Sequence, residues 1–170
     1  MPTVVPFANV VDKVNKTVGE VFSSVCIVVM LFGTYEVFAR YFFNRPTIWV
    51  WEQNGLLVLV IAALGGGYCL LVGGHIKVDV FYSHWSERTK AIVDSCTSVF
   101  IFLFLGAVLW QGAKVSLTSF QIAEHSETMY GPLIGPYKVV LTIGAFLFLM
   151  QGVANFTRSL LVAIGKRSTQ

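Results

Sequence analysis

The 170-residue chain is predicted to be an all-α integral membrane protein: four transmembrane helices, short interfacial amphipathic helices, and both termini in the cytoplasm. Three observations carry this. Charged residues make up only 12% of the chain, against about 25% in a soluble domain. Long uncharged runs alternate with short polar stretches. Lysine and arginine are distributed unequally between the two sets of connections.

The chain forms one membrane domain, with spans expected near 18–43, 53–76, 91–115 and 137–161 and interfacial segments near 7–17 and 79–88. In the first segment Phe7, Val10, Val11, Val14 and Val18 share a helical face, with Asp12, Lys13, Asn15 and Lys16 opposite. This pattern fits a helix lying on the membrane surface. It fits equally a plain N-terminal extension of the first span.

The first span is uncharged only from Val21 to Tyr35, too short to cross, so the helix must continue through Glu36 and Arg40. These two stand four apart in the order that favours an ion pair. Arg40 can snorkel, but Glu36 is shorter and deeper, so it is expected to face protein with Arg40 as its partner. A proton or ion site at Glu36 is the functional alternative. A cleaved signal peptide, with Lys13 and Lys16 before it and Val37-Phe38-Ala39 as the cleavage site, fits less well, because the apolar core starts late and ends in an acid.

Asn44-Arg45-Pro46 should break the helix. Trp49 and Trp51 follow, at the level where tryptophans sit between water and lipid, and Trp85 is a third such anchor. The second span runs uncharged from Gln53 to Ile76, and 24 helical residues reach roughly 36 Å across a core of about 30 Å. Its small residues recur at four-residue spacing, Ala62/Gly66 and Ala63/Gly67, which lets another helix approach closely.

Beyond it, Val80, Phe81, His84 and Trp85 share a face against Ser83, Ser86 and Glu87, predicting a short interfacial helix. Ser95–Ala113 and Val139–Thr157 are uncharged and make the third and fourth spans, the fourth carrying Gly144, Gln151 and Gly152. Leu117 to Gln121 is expected to extend the third helix beyond the bilayer, before a loop marked by Gly131-Pro132 and Pro136. With the N terminus inside, the cytoplasmic side holds Lys13, Lys16, Lys77, Arg88, Lys90, Arg158, Lys166 and Arg167, against Arg40, Arg45, Lys114 and Lys138 outside.

Little in the chain points to chemistry. The three cysteines, Cys26, Cys69 and Cys96, lie in apolar runs at no metal-ligand spacing. His75 and His84 have one acid between them, a weak metal pattern, and no histidine lies within a span where haem would need one. No cofactor is expected. The basic residues form no cluster, so no nucleic-acid partner is expected either. A carrier needs polar groups near mid-depth, and the spans appear as scaffold with almost none.

The residues resemble a family at this point: the DctQ-like small membrane subunit of tripartite ATP-independent periplasmic (TRAP) transporters. Phe38-Ala39-Arg40-Tyr41 with Asn44 and Pro46, Trp51-Glu52, and Gly74-His75-Ile76-Lys77-Val78-Asp79-Val80 carry the likeness. Glu124-x-Ser126, Gly131-Pro132, Pro136-Tyr137-Lys138 and Gln151-Gly152 are similar to the mannitol or chloroaromatic compound subgroup. The resemblance implies a multi-pass protein of a bacterial or archaeal inner membrane. It implies a large DctM-like partner that carries the sodium and substrate sites, and a periplasmic DctP-like protein that delivers an organic acid. It further implies that the small subunit braces the large one, with lipids around both, and lies outside the substrate path. Arg40, Glu52, His75 and Asp79 match recurring polar positions, for which the resemblance implies a structural or partner-interface role; Glu36, Ala63 and Gly67 join them from the helix patterns. The rival functions are an autonomous carrier coupled through Glu36 and a redox subunit.

Overall fold

The computed structural model describes residues 4–74 and 87–163. Five helices account for nearly all of them: α1 (Val4–Ser23), α2 (Val25–Tyr41), α3 (Ile48–Leu71), α4 (Glu87–Gln121) and α5 (Gly135–Ala163). α1 and α2 are almost one rod. Ser24 between them keeps right-handed helical angles, φ −65° and ψ −21°. The Ser23 and Ser24 hydroxyls donate back to the carbonyls of Glu20 (2.7 Å) and Val21 (2.6 Å), the kind of local competition that bends a helix without ending it. Among the described residues, four helical stretches are long and apolar enough to cross a membrane: Phe7–Tyr41, Ile48–Leu71, Cys96–Gln121 and Gly135–Leu161.

The helices alternate in direction and pack as a row rather than a ring. α3 lies against α2 and α1 on one side and α5 on the other, while α4 packs on the far side of α5. α1 also reaches α5, closing the row at one end of the bundle. Burial in this row is the inverse of a soluble core. Large apolar side chains point outward, with Met30 70% and Phe100 72% exposed, whereas Gln151 and Asn15 are fully buried. In water this outer surface would be a liability; in lipid it is the expected face.

Contact between helices depends on small residues. A Cβ at Gly144 of α5 would strike the backbone carbonyl of Ala63 on α3, so here two backbones touch. Gly67 of α3 gives room in the same way to the Asn15 side chain of α1. Ala63 and Gly67, one turn apart on α3, therefore serve two different helices of this same chain, α5 and α1. Ala62 stays exposed and nothing lies within 4 Å of a Cβ added at Gly65, so the four-residue spacing does not act as one continuous stripe.

Two readings of the sequence change here. α1 is packed against α3 and α5 and presents Ala8, Val11 and Asn15 to them, while Phe7, Val10 and Val14 stay exposed. The apolar stripe that suggested a surface helix is thus split: Phe7, Val10 and Val14 form the outer face while Val11 turns inward, as does the polar Asn15, which finds partners there. Second, α3 begins at Ile48, so Trp49, Trp51 and Glu52 belong to its first turns rather than to the connection. His75, Asp79, Trp85 and the interfacial stretch 79–86 lie outside the described residues.

Candidate functional site

Three polar clusters hold the ends of the helices. The first joins α2 to α3. Glu36, buried on α2, accepts from Arg40 Nη2 (2.9 Å) and Nε (3.3 Å), from the Thr47 backbone N–H (3.1 Å) and from the Thr47 hydroxyl. Thr47 stands just before α3 in an extended conformation (φ −109°, ψ 128°) and makes no side-chain cap bond of its own. The carboxylate of the preceding helix takes over that duty, satisfying a donor at the start of α3. With two oxygens already engaged by four donor groups, Glu36 is placed as a structural pin. An open groove lined by Tyr35, Phe38, Ala39, Phe43, Arg45 and Thr47 lies beside it. Trp49 packs edge-on to Phe32 (5.8 Å between centroids) and against Tyr35 (6.0 Å), while Trp51 points outward, 76% exposed.

The second cluster ties α1 to α5 at the opposite end, and the sequence reading did not foresee it. Asn15 donates to Gln151 Oε1 (2.8 Å), and Gln151 donates to Asp12 Oδ1 (2.8 Å) and to Asn155 (3.3 Å). Arg158 then clasps both oxygens of Asp12, at 3.2 and 2.5 Å, and Asn155 reaches the Leu70 carbonyl of α3 (3.3 Å). Gln151 was noted as a polar residue in an apolar span. Its partner Asn15 was hidden, because alongside Asp12, Lys13 and Lys16 it reads as part of a solvated face.

The third cluster closes the connection between α4 and α5. Lys138 donates to Glu124 (2.5 Å) and to the Ser119 hydroxyl (2.8 Å), which in turn donates to Glu124. The chain between forms a tight loop: His125 bridges Leu133, the Ser126 N–H bonds the Pro132 carbonyl (2.9 Å), and the Ile134 N–H bonds the Glu124 carbonyl (3.0 Å). Glu124 lies outside the spans, and its hydrogen bond from Lys138, aided by Ser119, lowers its pKa below the ordinary glutamate value.

Of the residues singled out from sequence, Glu36 and Arg40 meet each other, while Ala63 and Gly67 meet α5 and α1. Glu52 meets none of these: both its carboxylate oxygens are buried without a hydrogen-bond partner, as is Asn54 Oδ1. No group of three or more histidine, cysteine, aspartate or glutamate side chains among the described residues is arranged to hold a metal ion.

The arrangement is that of a helical scaffold in which the three clusters hold helices together, while Glu52 and Asn54 keep buried oxygens that no side chain among the described residues engages. No curated protein matches the chain. The family model for tripartite ATP-independent periplasmic transporters, DctQ component, matches residues 29–162, from within α2 to the last turns of α5. The chain belongs to the DctQ family and is a small membrane component of a TRAP-type transporter.

Proposed function

We propose that this chain is the bracing subunit of a sodium-coupled carrier for organic acids, held beside a large DctM-like subunit and served by a periplasmic DctP-like binding protein. The single observation that carries this reading is the use of its interior polar groups. Glu36, Asp12, Gln151 and Glu124 are each bound by other side chains of the chain itself, so these groups serve contacts within the protein rather than a solute. Its outer surface, by contrast, is extensive and apolar, as an element embedded among lipids and a membrane partner requires. The lysine and arginine asymmetry supports cytoplasmic termini in a bacterial or archaeal inner membrane. Glu52, Arg40, His75 and Asp79 are proposed as partner-interface or helix-end residues, and Trp49, Trp51 and Trp85 as anchors at the lipid boundary. The Glu124-to-Lys138 run supports the mannitol or chloroaromatic-type subgroup, a label that does not name a substrate.

The test is co-expression of the tagged chain with its neighbouring genes, purification in mild detergent, and reconstitution. A stoichiometric large hydrophobic subunit, with sodium-dependent uptake that requires both subunits and the binding protein, is the expected result. A chain that purifies alone and transports alone would make it an autonomous carrier, with Glu36 the first residue to change.

A further inference from the structure

Lys114 stands inside the long apolar stretch Cys96–Gln121 of α4, with its side chain exposed. Gly112 and Ser116, on either side of it in α4, both lie against Thr142 of α5: a Cβ on Gly112 would come within 2.9 Å of the Thr142 hydroxyl, and the Ser116 and Thr142 hydroxyls are 3.1 Å apart. Lys114 is therefore level with Thr142. Two residues further along α5, Gly144 touches Ala63 of α3, and five residues earlier Tyr137 bonds Gln53 (3.2 Å). Thr142 thus falls level with the α3 residues shortly before Ala63, close to the middle of the Ile48–Leu71 helix. α4 runs on unbroken to Gln121, seven residues and about 10 Å beyond Lys114, so the third helix continues through Leu117–Gln121 as expected.

The side chain does not escape towards the nearer end of α4. Its ammonium sits over the Trp110 ring, 4.6 Å from the centroid, one turn back towards the middle of the helix. Lys114 is exposed, Trp110 is 68% exposed, and no salt bridge among the described residues reaches Lys114. A cation at that depth on a lipid-facing surface is costly, and such groups are ordinarily covered by protein and paired.

We infer that the outer face of α4 carrying Leu103, Trp110, Lys114 and Leu117 is the docking surface for a transmembrane helix of the large subunit that bears a carboxylate at the level of Lys114, the acid pairing with Lys114. This rests on the accessory-subunit reading above. The ammonium turns onto Trp110, towards the middle of the helix and away from its nearer end, which argues against a lipid headgroup as the natural occupant, because phosphates lie outside a core about 30 Å thick. A second copy is also disfavoured: an isologous contact centred on this face would set Lys114 against Lys114. Charge complementarity leaves an intramembrane acid on a different chain.

The experiment places a photo-crosslinking residue in turn at Leu103, Leu117 and, as a control on α2, Met30, in the full complex in native membranes. Leu103 and Leu117 should crosslink to the large subunit, identified by mass spectrometry, and Met30 should not. In parallel, Lys114→Glu should reduce recovery of the large subunit by about tenfold or more, since it leaves a like-charged pair in a low-dielectric interface, whereas Lys114→Arg should retain it. Crosslinks to lipid or to a second copy only, or full recovery with Lys114→Glu, would overturn the docking face while leaving the accessory function intact. If the unmodified chain recovers no large subunit at all, the function itself falls. Should Lys114→Glu prevent folding, the crosslinks decide, because they keep Lys114.

Discussion

Glu36 holds two helices at once, which makes the consequences of removing it unequal to those of removing its ionic partner. Arg40 supplies one side of the carboxylate and Thr47 the other. Glu36→Ala should therefore lower the thermal midpoint of the purified chain by several degrees more than Arg40→Ala, with the double variant no worse than Glu36→Ala alone. Tryptophan fluorescence on heating measures this, and equal losses for the two single variants would contradict the pin. Glu124 offers a pH test at the same scale. Its pKa is lowered by the hydrogen bond from Lys138, so its contribution is fully present above the ordinary glutamate value of about 4.3 and is lost as pH falls through the lower folded value. Glu124→Gln should remove that part of the acid sensitivity. If the variant and the parent lose stability in parallel between about pH 5 and about pH 3, the latch contributes nothing measurable.

At the scale of the element, α1 is a structural member of the bundle, because its buried residues are bound to α5 and its small residue Gly19 and its Asn15 meet α3. Gln151→Leu breaks the Asn15 and Asp12 links together. Interhelical hydrogen bonds in membranes average about 0.6 kcal/mol and reach about 1.7 kcal/mol, so a loss near the upper figure is expected from a residue making several. Gly67→Leu acts by a different route, driving a side chain into the Asn15 site, and overpacking of that kind costs about 1–3 kcal/mol. Both are measurable by denaturant titration in micelles. Gly144→Leu should be the more damaging of the glycine changes, since what yields at Gly67 is a side chain and what must yield at Gly144 is the backbone of α3.

At the scale of the whole molecule, a row of helices has two broad outer surfaces and little interior, so most of its apolar area must be covered by something else. Lipid covers that area without specificity. The polar and cationic positions in it, with Lys114 foremost, mark where the covering has to be protein. A systematic crosslinking map is expected to show the α4 face in contact with the large subunit and the Met30–Leu31 face of α2 in contact with lipid.

Composition and hydropathy were sufficient to determine the class of this protein, because the bilayer imposes helix length and apolarity on every span and those properties are written locally along the chain. The Glu36–Arg40 pair was legible for the same reason: four residues apart on one helix, it needs no tertiary information. Which helices adjoin, and at what level, was not legible. Asn15 and Gln151 are far apart in sequence and meet only because α1 folds back against α5, and Gly67 and Ala63, one turn apart, meet different neighbours because α1 packs against both α3 and α5. The level of Lys114 among its neighbours was decided the same way. It follows from the register in which Ser116 meets Thr142 and Gly144 meets Ala63, a register set by the close contact of backbones rather than by any property of the lysine itself.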